Sequence, residues 1–445
     1  MQAKTNQMKK TIQLFLLSFA FFSCSDDEAI PQVSDDSIEW VKTLGGSKND
    51  QANSIVNTQD GGYAILGFTQ SNDGDITDKP NVSFDYWVMK FSSSDVLEWS
   101  KTYGGTLDDR GNKITQTQDG GFIVVGESKS NDQDATLNAG AQDFWIVKLN
   151  SSGAIVWEKS LGYVGQDKAN AVIQTSDNGY LITGVLDVTA SGGEGNSKAV
   201  LHAGGDYWAI KLSENGTTEW TKYFGGGLSE IPYDLIETQD NGFLLVGTSD
   251  STDVDISNNL GGYDFWIVKI DALGTLVWEK SYGGSEIDEA FSVANTGDGN
   301  FVIVGSTRSN DANITINNGD ADLWLIKITP TGTLIWEKTI GGLSFDIGRS
   351  VVKTQDNGFL IAGSSRSVNG SLTANNGQND AWAVKVDANG GLEWQKTIGG
   401  SQVDFGLGAI ELNDKKVILV GHSSSSDFDI LENKGFTDLL IVKIK

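Results

Sequence analysis

The sequence predicts an all-β fold built from seven copies of one unit, and three observations carry this prediction. A "W-x-K" triplet recurs from Trp40 onwards, with spacings of 59, 58, 63, 58, 58 and 58 residues. Each unit contains four short apolar segments separated by turns rich in Gly, Asp, Asn and Ser, which is the pattern of strands and tight turns. No segment shows a helical hydrophobic period. Together these features predict a seven-bladed β-propeller with four antiparallel strands per blade.

The second unit shows how strands and turns alternate. The segment "GNKITQTQ" predicts a strand, "DGG" a tight turn with positive φ, and "FIVVGESKS" a second, apolar strand. The polar stretch "NDQDATLNAGAQ" predicts a long loop, "DFWIVKLN" a third strand and "SSGA" a turn before the fourth strand. The stretch "TQDGG" or "TQDNG" recurs at the turn between the first two strands of several units.

The strand of the unit that stands at each end of the repeat predicts how the ring of blades closes. The repeat begins with an isolated fourth strand, "IEWVKTLGG" from Ile38, and ends with a third strand, "DLLIVKIK" from Asp438. Residues 38–46 are therefore expected to pair with the strand from Asp438, because that strand would otherwise have a free edge. The predicted organisation is a signal peptide at residues 1–24, an acidic flexible tether at residues 25–37 and a propeller at residues 38–445.

The N-terminal segment has the layout of a secretory signal. Residues 9–24 read "KKTIQLFLLSFAFFSC", with an apolar run shorter than the roughly 20 residues that a membrane span needs. The single cysteine, Cys24, follows this run, so we expect no disulfide. Cys24 and the "SDDE" after it resemble the lipidated cysteine and acidic export tag of Bacteroidota lipoproteins. The resemblance implies a lipid anchor at Cys24 in the outer membrane, facing outside, as the only contact with the membrane.

The charge of the chain restricts its partners. The sequence has 59 acidic and 32 basic residues, for a formal net charge of -27. Such a surplus argues against binding to nucleic acids or anionic membrane surfaces by electrostatics, because both are polyanions. We expect no nucleic-acid partner, and we expect the propeller to be a monomer.

Two resemblances follow from the repeated unit. The segment "DALGTLVWEK", with its echoes "TPTGTLIWEK" and "DANGGLEWQK", resembles the tryptophan-docking motif of quinoprotein-like propellers, which links neighbouring blades. Its spacing is one residue shorter than in that family, and some units replace its Asp by another residue: Asn150, Ser213 or Thr329. The whole unit resembles Bacteroidota repeat β-propeller lipoproteins that are loosely labelled bulb-type lectin-like. The mannose signature of bulb lectins, with its spaced residues, is absent here.

Residues for catalysis are scarce. His202 and His422 are the only histidines, and a lone cysteine provides no vicinal pair of the kind that quinoprotein dehydrogenases use. The four arginines fall at three different repeat positions, whereas a sialidase needs an arginine cluster. The sequence therefore predicts a non-enzymatic binding or scaffold module for a protein or glycan ligand. The alternatives are a glycan-processing enzyme that uses paired carboxylates and an envelope-assembly scaffold.

The long loops between second and third strands are predicted to form the ligand-binding face. They are acidic, and they lie on one face of the disc, whereas the opposite face has minimal turns. Functional residues concentrate in loops on rigid scaffolds. The alternative is that these acids only cap their own loops through Asx turns. The candidate residues are Asp73, Asp75, Asp132, Asp134, Asp253, Asp255, Asp427 and Asp429.

A second set of acids recurs four residues after each "GG" or its equivalent. This position opens the innermost strand, so we expect the seven carboxylates to surround the mouth of the central channel. Hard oxygen ligands suit calcium, which is the only cofactor that the sequence predicts. The alternative is that each acid caps the backbone amides of its own "GGxxxD" turn. The candidate metal ligands are Asp50, Asp109, Asp167, Glu230, Asp288, Asp346 and Asp404.

Overall fold

The second and third strands of each unit are buried at nearly every position, as expected for strands that are covered on both sides. The computed structural model describes residues 36–191, 202, 204–372 and 374–445. These residues form 28 strands and one short helix, α1 (Val188–Ser191), in the long loop of the third blade. The strands group into seven antiparallel four-stranded sheets. The predicted all-β, seven-bladed propeller is confirmed.

The strands take the same order in every blade, from the channel outwards. The first strands are β2 (Asp50–Asn57), β6 (Asp109–Gln116), β10 (Lys168–Gln174), β14 (Glu230–Glu237), β18 (Asp288–Asn295), β22 (Asp346–Lys353) and β26 (Asp404–Glu411). The second strands are β3 (Tyr63–Thr69), β7 (Phe122–Ser128), β11 (Tyr180–Asp187), β15 (Phe243–Ser249), β19 (Phe301–Thr307), β23 (Phe359–Ser365) and β27 (Val417–Ser423).

The outer half of each blade consists of the third and fourth strands. The third strands are β4 (Asp85–Phe91), β8 (Asp143–Leu149), β12 (Gly205–Leu212), β16 (Asp264–Ile270), β20 (Asp322–Ile328), β24 (Asp380–Val386) and β28 (Asp438–Ile444). The fourth strands are β5 (Leu97–Tyr103), β9 (Ile155–Leu161), β13 (Thr218–Phe224), β17 (Leu276–Tyr282), β21 (Leu334–Ile340), β25 (Leu392–Ile398) and, for the seventh blade, β1 (Ile38–Leu44). We number the blades one to seven from β2 to β26.

The ring closes through the first strand of the chain. Strand β1 pairs with β28, with Trp40 opposite Lys443 and Leu44 opposite Leu439, so that the seventh sheet has the order β1-β28-β27-β26. This pairing satisfies the edge of β28 that would otherwise be free. The predicted closure by the N-terminal strand is confirmed.

The hydrophobic core lies between the blades. Among the described residues, each pair of neighbouring blades shares one cluster of buried apolar side chains. Tyr86 of the first blade packs against Trp145 of the second with ring centroids 4.6 Å apart. The third-strand tryptophans are at most 4% exposed, which agrees with a packing role. They are Trp87, Trp145, Trp208, Trp266, Trp324 and Trp382.

The fourth-strand tryptophans link each blade to the next. The indole Nε1 of Trp99 donates a hydrogen bond to the carbonyl oxygen of Ser151 in the second blade, at 3.2 Å. Gly153 in the same turn has φ 74°, and a Cβ there would lie 2.9 Å from the Trp99 ring, so the contact requires glycine. Lys101 donates to the Ser152 carbonyl at 2.9 Å. The link between blades that the docking-like motif implies is therefore a contact of Trp and Lys with the next turn.

The recurring "TQDGG" stretch is a latch between strands and between blades. In the first blade the Thr58 hydroxyl donates to Asp60 at 2.6 Å, and Lys90 from the third strand donates to Asp60 at 2.9 Å. The backbone amide of Gln59 donates to the Gln116 side chain of the second blade at 2.8 Å. The contacts among Thr, Asp and Lys recur in the second to sixth blades, whereas the seventh blade lacks this stretch.

The predicted signal peptide, Cys24 and most of the tether lie outside the described residues. In the ranges that the structure describes, no helix is both long enough and apolar enough to cross a bilayer.

Candidate functional site

The seven acids predicted around the channel mouth lie inside the blade junctions. Each opens or directly precedes a first strand, as expected, but each is fully buried, and none lines the central channel. In the first blade the Gly46 amide and the Ser71 hydroxyl each donate to Asp50 at 2.8 Å. The same backbone contact, at 2.7 to 2.8 Å, is made by the other six acids: Asp109, Asp167, Glu230, Asp288, Asp346 and Asp404.

The acids of the long loops cap the same turns from outside. Asp73 accepts a hydrogen bond from the Ser47 amide at 2.7 Å, and Asp75 accepts one from the Gly45 amide at 2.9 Å. Three consecutive backbone amides, those of residues 45 to 47, are therefore each bonded to a different carboxylate. Equivalent contacts, at 2.7 to 3.3 Å, are made by Asp132, Asp134, Asp253, Asp255, Asp427 and Asp429.

These contacts describe how the repeated acids are used in the fold. Within the described ranges, no group of three or more His, Cys, Asp or Glu side chains is placed to hold a metal ion. The loop acids are bonded to backbone amides, and the buried acids to backbone amides and, in several blades, hydroxyls. Calcium binding by these acids stays a prediction.

Each innermost strand also has an irregularity that was not predicted from the sequence. Each first strand contains a β-bulge, which in β2 lies between Ala52 and Ser54 and recurs at the same place in the other six. Bulges redirect side chains and are frequent beside functional sites. The extra residues line the central channel, and we call them the bulge ring: Asn53, Asn112, Asn170, Tyr233, Phe291, Arg349 and Leu407.

The bulge ring surrounds a cavity of about 770 Å³, which we call the central cavity. This volume is within the range of roughly 300 to 1,000 Å³ that is typical of small-molecule sites. The cavity is lined by the first strands, with contributions from Phe68, Glu127 and His422 on second strands.

One arc of the bulge ring is polar. The side-chain amides of Asn53 and Asn112 donate to the backbone carbonyls of Gly111 and Ala169, each at 2.8 Å. Asn170 makes the equivalent bond to the next blade, also at 2.8 Å. These bonds orient three carboxamides along the wall of the cavity.

The opposite arc is aromatic and cationic. The rings of Tyr233 and Phe291 meet edge to face with centroids 4.9 Å apart, and the Arg349 guanidinium lies 4.0 Å from the centre of the Phe291 ring. Burial raises the pKa of Tyr233 to about 12 and lowers the pKa of Arg349 from its ordinary value. The tyrosine is therefore neutral at physiological pH.

The two carboxylates that line the cavity are engaged with cations. Lys113 reaches from the second blade to Asp234 of the fourth at 3.0 Å, and the Ser292 hydroxyl donates to Asp234 at 2.8 Å. Glu127 accepts a hydrogen bond from Asn112 at 2.7 Å and lies 3.9 Å from Lys168. Burial raises the pKa of Glu127, and the charge of Lys168 opposes this shift.

His422 adds an aromatic ring to the cavity lining. Its ring packs on Phe405 with centroids 5.0 Å apart. Burial lowers the pKa of His422 to about 4, so the imidazole is neutral at physiological pH.

No family model matches the chain, and no curated protein matches it in sequence. One similar solved structure is a protein of unknown function from Dyadobacter fermentans, with 13% identity, coverage of 92% of this chain and 98% of that chain, and a TM-score of 0.47. Another is the Pan2 WD40 domain of Neurospora crassa, with 11% identity, coverage of 90% and 95%, and a TM-score of 0.47.

A gluconolactonase from Xanthomonas campestris is also similar in structure, with 7% identity, coverage of 91% of this chain and 98% of that chain, and a TM-score of 0.40. Similarity at this level carries no argument about ligand or activity. The resemblance to Bacteroidota lipoproteins therefore rests on the sequence motifs described above.

Proposed function

We propose that the protein is a binding module, and that its ligand is the end of a glycan chain which enters the central cavity and contacts the bulge ring. The observation that carries this proposal is the bulge ring itself. Positions close to the bulge residue keep the same type of residue in every blade: the buried acid three residues earlier, for example, is Asp or Glu in all seven because the fold needs it. The bulge position faces a cavity and carries five different residue types in seven blades.

The chemistry of the cavity suits a sugar. A sugar ring has apolar C–H surfaces and a rim of hydroxyl groups. Tyr233 provides a partly exposed aromatic ring for such a surface, and Phe291, which is only 6% exposed, packs against it edge to face. The asparagine arc, formed by Asn53, Asn112 and Asn170, lies on other blades of the same ring. A cavity of about 770 Å³ accepts a chain end or a small molecule but not a folded partner.

The carboxylates of the cavity favour binding over turnover. Glycoside hydrolysis uses two carboxyl groups, one as acid and one as base or nucleophile. Glu127 and Asp234 are the carboxylates of the described cavity lining, and each is held by a lysine and a hydrogen bond. A non-catalytic role is therefore the simpler account of these residues.

The proposed module acts at the cell surface, anchored through Cys24 to the outer membrane. This location is supported by the signal-like N-terminus and the "SDDE" segment. Cys24→Ser should release the protein from membranes without changing its melting temperature. Protease added to intact cells should degrade the wild-type protein, and protection would place it on the periplasmic side.

Calorimetric titration with a panel of neutral and acidic oligosaccharides tests the proposed function. Phe291→Leu should weaken the tightest complex by about 10-fold or more, because it removes the ring that holds Tyr233 and Arg349 in place. Phe345→Leu is the matched control, since Phe345 also carries arginine side chains, at 5.5 Å, but lies outside the cavity lining. Equal losses in the two folded variants, or a panel without a binder, would contradict the proposal.

A further inference from the structure

Arg349 differs from the other cations of the central cavity. Three of the four cavity cations have an acidic partner: Arg110 with Asp108 at 3.5 Å, Lys113 with Asp234 at 3.0 Å and Lys168 with Glu127 at 3.9 Å. In the part of the chain that the structure describes, no carboxylate lies within the 4.0 Å of an ion pair to Arg349. Glu289 acts on its charge only from a greater distance.

Tyr233 is placed similarly, on the other side of Phe291. Among the described residues, neither the Tyr233 hydroxyl nor the Arg349 guanidinium makes a hydrogen bond. Both side chains line the cavity. Two donors that flank one aromatic ring and face an open space are therefore available to a ligand.

A partly buried guanidinium without a counter-charge is costly, because burial disfavours the charged form. An anionic ligand would remove that cost. The planar fork of an arginine matches the two oxygens of a carboxylate in a bidentate arrangement. The ring of Phe291 lies 4.0 Å from the Arg349 guanidinium and would hold it in place for this contact.

We propose that the glycan end bound in the central cavity is acidic, and that Arg349 binds the carboxylate of a uronic acid with Tyr233 as a second donor. This inference rests on the proposed function and names its substrate class. It also explains why an arginine occurs in the bulge ring of a chain whose net charge is -27.

The test uses a uronic-acid disaccharide and the same disaccharide with its carboxyl group reduced to an alcohol. In calorimetric titrations the acidic form should bind the wild-type protein at least about 10-fold more tightly, as expected for a charge-assisted hydrogen-bonded pair. Arg349→Gln should lower the affinity for the acidic form to that for the reduced form. Arg366→Gln is the matched control, because Arg366 also lies over a phenylalanine, at 5.5 Å, outside the cavity.

A second variant keeps the test decisive if Arg349→Gln fails to fold. Tyr233→Phe removes only a hydroxyl group, and it should weaken the acidic complex more than the reduced one. Melting temperatures of all variants report whether the fold is retained.

The possible outcomes separate the two proposals. Equal affinity of wild-type protein for both disaccharides would overturn the carboxylate site and leave glycan binding standing. Binding of short peptides with a free carboxyl terminus, lost in Arg349→Gln, without binding of either sugar, would overturn glycan binding and keep the carboxylate site. Binding of no probe would overturn both.

Discussion

The buried carboxyl groups of Asp264 and Asp288 lie against the same glycine. A Cβ at Gly283 would overlap Oδ1 of Asp264 and would lie 2.7 Å from Oδ2 of Asp288. Asp264 begins the third strand of the fourth blade and Asp288 begins the first strand of the fifth. The third-strand Asp264, the first-strand Asp288 and Gly283 thus form one packed unit between two blades, and this unit accounts for the recurring "GG" better than turn conformation does.

Gly283→Ala should destabilise the protein by about 1 to 3 kcal/mol, because the added methyl group must displace a buried carboxyl group. Gly120→Ala is the matched control, since a Cβ there meets no atom within 4 Å and the cost is confined to a φ of 80°. Urea unfolding of both variants gives the comparison. A smaller loss for Gly283→Ala than for Gly120→Ala would contradict the packed junction.

The buried aspartates that open the third strands set the pH dependence of stability. Burial raises the pKa of Asp264 to about 7 and the pKa values of Asp322, Asp380 and Asp438 to about 6. In the unfolded chain these groups ionise near pH 4, so each one costs stability as the pH rises from about 4 to its folded pKa. Scanning calorimetry should therefore show a higher melting temperature at pH 5 than at pH 8.

The aspartates of the Thr–Asp–Lys contacts, such as Asp60, have lowered pKa values, so they stabilise the fold when ionised and lose this effect at low pH. Burial would raise the pKa of Asp60, but hydrogen bonds from Lys90 and Thr58 outweigh it and bring the pKa to about 2. Their stabilisation is present above about pH 4 and is lost as the pH falls towards 2. Stability should thus be greatest near pH 4 to 5, and a maximum at pH 8 would contradict the assignment.

Asp264→Asn isolates one of the buried third-strand aspartates. The amide cannot ionise, and its oxygen can still accept the hydrogen bond that the Leu260 amide donates to Asp264. We expect the melting temperature to rise by about 2 °C at pH 8 and to change little at pH 4. A decrease at pH 8 would show that the carboxylate is required in its charged form.

Deletion of residues 25–46 should open the ring, because it removes β1 and leaves β28 with a free edge. Deletion of residues 25–36 keeps β1 and should leave the melting temperature unchanged. Val41→Pro provides a point variant of the same contact, since Val41 pairs with Val442 inside the ladder. Equal melting temperatures for the two deletions would contradict a stabilising closure.

The predicted calcium site and the observed turn caps lead to different results. Because the Gly342 amide and the Ser367 hydroxyl each donate to Asp346 at 2.7 Å, we expect Asp346→Asn to lower the melting temperature equally with calcium and with chelator. Titration of chelator-treated protein should then show no calcium heat. A calcium-dependent rise in melting temperature that Asp346→Asn abolishes would instead establish the cation site.

The fold was predictable from the sequence because every blade repeats the residues that the fold needs. The tryptophan that recurs at the spacing of Trp99 and Trp157 occurs once in each unit, so it gives the number of blades. The strands at Ile38 and Asp438 show how the ring closes. The roles of the repeated acids were harder to predict. Asp73 bonds the amide of Ser47, 26 residues earlier, in the connection into its own blade, and a local pattern does not show such a contact.

The positions of the bulge-ring residues could not be predicted from the sequence for a related reason. A repeat is recognised by what its copies share, whereas the bulge residues differ, as Asn53 and Arg349 do. A bulge also depends on the register between two strands, which the sequence of one strand does not specify. One pattern in the sequence could have indicated these positions. The third residue after each buried acid varies among the seven units, and in four of them it is aromatic, cationic or aliphatic.

If the ligand occupies the cavity surrounded by the bulge ring, a crystal structure of the protein with the oligosaccharide that binds it most tightly shows this directly. We expect a sugar ring against Tyr233, with its polar groups in contact with Arg349 and the asparagine arc. A sugar bound at the acidic loops around Asp73 or Asp427, with the central cavity free of it, would contradict binding in the cavity.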